Sequence, residues 1–161
     1  MQIYMRDNDF IVSKTDIKGR ITYGNETFIK MSGYLESELL NSPHNILRHE
    51  DMPAIVFKLL WERLYEEKSI NAFVKNKCKN GDYYWVFANV TPSYNEKGEV
   101  IGYYSVRRKP KEKAVKTVEA IYMDLLKVEK KEGLDGSFKL LKSILDSQGV
   151  SYDELIIELQ K

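Results

Sequence analysis

Residues 44–53, His-Asn-Ile-Leu-Arg-His-Glu-Asp-Met-Pro, hold both histidines of the chain with an arginine, an amide and two carboxylates. Donors and acceptors at that density are costly to bury without a partner. Pro53 opens a run of helical period, so the segment lies just ahead of a helix N-terminus, where unpaired N–H groups concentrate positive charge. That combination suits an anionic or heteroaromatic ligand, and the segment reads as one wall of a cofactor pocket. A plainer reading stays open: Asp51 caps the helix while Arg48 and His49 sit at the surface.

The elements that must position this wall follow from the flanking pattern. Residues 10–15 and 20–23 read as short strands joined at Lys18-Gly19. Asn25 is placed to cap a short helix through Phe28, Ile29 and Met31 that Gly33 ends. A second short helix over residues 36–40 closes at Ser42-Pro43. After the polar segment a longer helix carries Val56, Leu59, Leu60 and Leu64 at helical spacing. The period then drops to two. Residues 70–77 and 83–91 flank Lys79-Asn80-Gly81-Asp82, a hairpin signal because Asn-Gly supplies positive φ at little cost. A turn at residues 95–98 leads into a last strand over 100–107. The order describes an antiparallel sheet with helices on one face, an α+β sandwich of two layers.

Strand 83–91 is apolar on both parities. Tyr84, Val86, Ala88 and Val90 form one face, and Trp85 and Phe87 stand on the other with Asn89. A one-sided antiparallel sheet should be polar on its outer face. The expectation is therefore that the N-terminal segment, the C-terminal tail or a partner covers it. From residue 110 the chain is helical. One helix of about twenty residues ends before Gly133 and a second spans 137–147, stopped by Gly149. A third opens on a Ser151–Glu154 capping box, with Val150 and Leu155 spaced as a hydrophobic staple. The basic run at 107–113 reads as a solvated linker into the first of these helices.

Length and composition bound the rest. At 161 residues the chain is one domain plus an appendage, here residues 9–108 and 109–161, or two very small ones. Its 25 basic and 24 acidic residues leave no sequence-wide field for nucleic acid or an anionic membrane. The lone Cys78 excludes an internal disulfide and a cysteine metal cluster, which fits a reducing cytoplasm. Neither a signal peptide nor an apolar run of roughly 18–20 residues is present, so a membrane role is expected only through a partner.

The order of elements, with Asn80-Gly81-Asp82-Tyr83-Tyr84-Trp85, Gly102 and a last strand ending at Arg107, resembles a PAS domain. Asn25-Glu26-Thr27-Phe28, Ser32-Gly33-Tyr34, the 44–53 block, Trp61, Lys75-Asn76 and Tyr84-Trp85-Val86 narrow the likeness to PAS domains of the bacterial aerotaxis, or energy-taxis, type. The block at 44–53 is the specific part; Ser-Gly-Tyr and Asn-Gly occur widely. The resemblance implies a five-stranded antiparallel sheet with short helices on one face. It also implies FAD as cofactor and a redox signal passed to the chemotaxis machinery. The layout is closer to the soluble PAS subunit of two-protein systems, in which a separate membrane transducer carries the signalling domain.

Residue by residue, Arg48 and His49 match the flavin-binding pair, and Asp51, His44 and Asn45 match nearby polar positions. Arginine offers a rigid fork to a diphosphate or flavin carbonyl. Trp61 either packs in the core or flanks the ring. Asn76 would reach the pyrimidine edge, whose alternating donors and acceptors suit an amide, or else anchors the turn. Arg107 falls where relatives place a polar side chain beside the flavin N5. Oxidised N5 accepts and reduced N5–H donates, so Arg107, which only donates, would be pushed away while the Ser105 hydroxyl could turn to accept. One departure matters, at residue 70, and one contrast with light-sensing flavin PAS domains, at residue 78. Ile70 stands where relatives carry a tryptophan, which removes a stacking surface, and Cys78 is not placed to form a light-driven adduct. The outer sheet face and the amphipathic tail are the expected contacts with the transducer, and a homodimer is open. A cofactor-free interaction module is the alternative. A flavoenzyme lacks a Gly-rich fingerprint or a nucleophile–base pair, and haem is a minor variant through either histidine.

Overall fold

The computed structural model describes residues 1–161. Five strands, β1 (Phe10–Asp16), β2 (Ile21–Gly24), β3 (Ile70–Lys77), β4 (Tyr83–Tyr94) and β5 (Val100–Arg108), form one antiparallel sheet in the order β2-β1-β5-β4-β3. Between β2 and β3 run α1 (Glu26–Ser32), α2 (Glu36–Leu39), a 3₁₀ turn (His44–Leu47) and α3 (Ala54–Tyr65). Two further helices, α4 (Glu112–Gln148) and α5 (Tyr152–Gln160), complete the chain. The fold and the strands follow the sequence reading closely.

Local chemistry explains most boundaries. The Asn25 side chain accepts from the Phe28 N–H, and Gly33 closes α1 in the left-handed region at φ 76°. Gly102 lets β5 lie against β1, because a Cβ there would collide with the Thr15 carbonyl. Strand β4 runs past Pro92 to Tyr94, longer than the sequence suggests. Its pairing with β3 stops at Val90 and only β5 continues alongside, so the missing Pro92 N–H falls where no β3 partner is available.

The sheet buries both faces. On the inner one, Ile11, Ile21, Tyr84, Val86 and Ala88 pack with Phe28, Leu39 and Leu47 of the short helices. On the outer one, Phe73, Trp85 and Phe87 pack against Val118, Tyr122 and Leu125 of α4, joined by Leu141 and by Ile156 of α5. Of the three covers the sequence leaves open, the C-terminal tail is the one present, and it occupies the part of the outer face around Phe73, Trp85 and Phe87 that the sequence offers to a transducer. Tyr122 and Tyr152 donate their hydroxyls to the Phe73 and Asn71 carbonyls of β3, at 2.7 and 2.9 Å. The two helices expected either side of Gly133 form one run, α4, broken at that residue, where φ is 73° and ψ −165°. Few residues remain for a linker: β5 ends at Arg108 and α4 begins at Glu112, and Arg107 is interior rather than solvated.

Candidate functional site

The inner face carries a polar cluster beneath the short helices. Register places Ile11 opposite Arg107 and Ser13 opposite Ser105, so the Arg107 side chain points inward, where it is 2% exposed. Its guanidinium donates to Ser13 Oγ and lies 3.4 Å from His44 Nε2. The same His44 nitrogen is 3.2 Å from Ser13 Oγ. Phe28 sits beneath both groups, its ring 4.7 Å from the Arg107 carbon and stacked on His44 at 5.9 Å.

The electrostatics are unusual. Burial, then the charge of Arg107, pushes His44 down to about 3, so its ring is neutral at pH 7. Burial pushes Arg107 down to about 10, which leaves it cationic. No carboxylate pairs with it, and its Nε has no hydrogen-bond partner. Buried charges are ordinarily paired, because solvation is lost without return. This cation has only a hydroxyl, a neutral imidazole and a ring face.

Two more unpartnered groups lie on the same face. Asn76 of β3 and Tyr84 of β4 are register partners, and both are buried. The Asn76 amide nitrogen and the Tyr84 hydroxyl lie next to each other without a well-formed hydrogen bond to any group, and burial pushes Tyr84 up to about 12, against the opposing pull of Arg107 and Asn76. An amide, a phenol and a guanidinium with spare donors share one inner face. Such a set is complementary to a planar heterocycle edged with carbonyl and ring-nitrogen acceptors. On this ground the residues present fit a flavin.

The other residues expected from the sequence lie elsewhere. The Arg48 main chain bridges to Asn76 at the free edge of β3, but its exposed guanidinium turns over the Phe57 ring at 4.8 Å and donates to the Met52 carbonyl at 3.4 Å. His49 packs edge-on against Tyr83 at 5.6 Å, and its Nδ1 accepts from the Asp51 N–H. Burial and the Lys75 charge lower His49 against the opposing pull of Asp51 and Glu50. Asp51 is ion-paired with Lys75 at 2.8 Å, which holds its carboxyl below the usual range. Asn45 is exposed. Trp61 packs edge-to-face on Tyr103 at 5.3 Å and above Gly19, at the turn between β1 and β2. His44, Asn76 and Arg107 therefore face the interior, whereas Arg48, His49 and Asp51 form a rim along β3.

Ser13, Phe28 and Tyr84 also belong to the interior cluster, beyond the residues that the resemblance assigns to the cofactor. The parity of Tyr84 with Val86 and Ala88 marks it as inward, and a small polar residue two after Ile11 marks Ser13. Asp51 also does not cap α3. Pro53 occupies that position without a side-chain cap, and the first helical N–H groups are satisfied from α4.

A five-stranded antiparallel sheet in this order, with short helices over an apolar inner face that holds a buried polar cluster, defines a PAS-type domain. The PAS fold family model matches residues 21–107, and the chain belongs to that family. It is 40% identical over 121 residues to the aerotaxis receptor of Escherichia coli strain K12, across 75% of this chain and 24% of the receptor. With the nitrogen fixation regulatory protein of Klebsiella pneumoniae it shares 29% identity over 97 residues, 60% of this chain and 20% of that protein. The match thus spans about a quarter or less of these relatives. Among solved structures, a light-oxygen-voltage domain studied with a flavin analogue aligns at a TM-score of 0.60 and 21% identity, over 68% of this chain and 82% of that one. An RNA-binding light-oxygen-voltage receptor aligns at 0.58 and 15% identity, over 89% of this chain and 36% of that one. At those identities the structural likeness carries the fold alone.

Proposed function

We propose that this chain is a cytoplasmic, FAD-binding PAS sensor that reports redox state to a membrane chemotaxis transducer. The observation that carries the reading is the buried, unpaired Arg107 cation together with the spare donors of Asn76 and Tyr84 on one face of the sheet. The likeness to the aerotaxis receptor supports the signalling side. Bound FAD supplies a two-electron carrier whose ring nitrogens exchange acceptor for donor character on reduction. Arg107, Asn76 and Tyr84 would hold the polar edge of the ring system, and Trp61, which packs near the β1–β2 turn, would flank it. The Arg48, His49 and Asp51 rim, with His44 inside it and Asn45 beside it, would hold the more distal part. Arg107 can only donate, whereas Ser105 and Ser13 can turn their hydroxyls either way. Strand β5 ends one residue after Arg107 and leads directly into α4, whose outer surface, with that of α5, is the contact offered to the transducer.

A specific observation favours a second reading, a cofactor-free interaction module. The Phe28 ring already lies against both Arg107 and His44, and Ile70 stands where an aromatic ring would add a stacking surface. The absorption spectrum of the purified protein, with any cofactor released and identified by chromatography, separates the readings. Oxidised-flavin bands with FAD released are expected. A colourless protein that also fails to take up added FAD would leave the interaction module.

A further inference from the structure

The helix that follows the candidate rim is capped from the far end of the chain. Glu129 of α4 accepts from the Ala54 N–H at 2.9 Å through one carboxylate oxygen and from the Ile55 N–H at 3.1 Å through the other. These are the first N–H groups of α3, which leave the helix without an internal partner and carry its positive end. Local sequence supplies no substitute, because Pro53 makes no side-chain cap and Asp51 is held by Lys75.

The same short stretch is tied to the rim atom by atom. The Met52 N–H donates to the His49 carbonyl at 3.1 Å, and the Met52 carbonyl accepts from the Arg48 guanidinium. The Met52 sulfur in turn accepts from the Lys75 N–H of β3. One side of the rim is therefore anchored to the sheet, and the other is anchored through α3 to α4. Glu129 lies four residues before the break at Gly133, on the arm of α4 that packs over Trp85 through Tyr122.

We infer that Glu129 is a positioning residue for the cofactor rim, and that docking of the C-terminal helices and binding of FAD are reciprocally coupled through it. The tail is then part of the pocket as well as its output. Whatever lifts α4 from the sheet withdraws the cap, loosens residues 48–55 and weakens the cofactor, and by linkage the cofactor tightens the tail by the same factor. The inference rests on the FAD reading and adds a direction of control to it: a partner that grips α4 would shift the affinity of the sensor for its own cofactor.

The test uses the full chain with FAD, in the wild type, Glu129→Ala and Glu129→Gln, with Glu158→Gln as an exposed control that pairs only with Lys161. Flavin fluorescence titration is expected to show affinity weakened about fivefold to thirtyfold in Glu129→Ala, the worth of a charged helix cap expressed as an equilibrium ratio. Glu129→Gln, which keeps one acceptor, should fall between, and it replaces the alanine variant if that one does not fold. Hydrogen exchange supplies the reciprocal arm. FAD should slow exchange along residues 112–132 of the wild type, and that protection should shrink in the variants. If exchange at residues 54–57 quickens while FAD affinity stays within about twofold, Glu129 is a structural cap and the coupling is wrong. Wild-type protein that takes up no FAD would sink the functional reading and this inference together. Variants that bind FAD as well as the wild type would sink the inference alone.

Discussion

At the scale of single residues the informative feature is a cation with nothing to neutralise it. Replacing a buried, incompletely paired charge by an apolar side chain of similar volume is often neutral or stabilising. Arg107→Met is therefore expected to leave the cofactor-free protein as stable as the wild type, or about 1 kcal/mol more stable, while weakening FAD binding at least tenfold. Denaturant melts paired with flavin titration check both halves. A large loss of stability would show instead that Ser13 and His44 need the guanidinium to hold the core. His44 gives a second handle. Its folded value, about 3, lies below the ordinary 6.5, so the unfolded chain binds a proton that the folded chain does not. The contribution is fully present above pH 6.5 and is lost as pH falls toward 3, at no more than about 1.4 kcal/mol per pH unit. His49 is shifted the same way and adds to the slope. Unfolding free energies at pH 7 and pH 5 should differ accordingly, and His44→Gln should remove much of the difference.

At the scale of elements, what could be read from the sequence was what neighbours in sequence decide. Strand β3 falls on residues 70–77 as expected, α1 begins at the Asn25 cap and ends at Gly33, and α5 opens on the Ser151–Glu154 box. Each rests on a turn residue, a cap or a period that operates within a few positions. The cap of α3 was not legible, because two carboxylates compete for the role and the choice is tertiary. Asp51 is two residues from Pro53, but Lys75 of the neighbouring strand takes it, and Glu129 arrives from 75 residues away. The candidate site divides the same way. Register on β3 and β5 turns Asn76 and Arg107 inward, although the basic run places Arg107 in a solvated linker, and His44 joins them. Arg48, His49 and Asp51, adjacent in sequence, were drawn outward to Phe57, Tyr83 and Lys75, partners that periodicity does not reveal. The outer sheet face had three possible covers by sequence, and only the packing of Trp85 and Phe87 against α4 chose among them.

For the molecule as a whole, the family match ends at residue 107 but the buried core does not. One cluster draws Met52 and Ile55 from the rim side, Phe73, Trp85 and Phe87 from the sheet, and Val118, Leu125, Leu141 and Ile156 from the tail. Removing residues 109–161 would uncover Phe73, Trp85 and Phe87 together, each worth roughly 1.5–3 kcal/mol when buried. It would also free the β3 carbonyls now bonded by Tyr122 and Tyr152, and take the cap from α3. A contiguous aromatic patch of that kind on a sheet drives association when it has no cover. The fragment 1–108 is therefore expected to self-associate or to unfold at a lower denaturant concentration than the full chain. Light scattering reads the first, and Trp85 emission, isolated in a Trp61→Phe background, should shift to the red in the second. Adding the tail back as a separate peptide should reverse both changes, since the lost surface and its hydrogen bonds lie on one side of the sheet. A fragment that stays monomeric with Trp85 emission unchanged would mean that the sheet tolerates its outer face bare. The C-terminal helices could then detach at little cost, and their hold on the rim through Glu129 would be too weak to carry a signal.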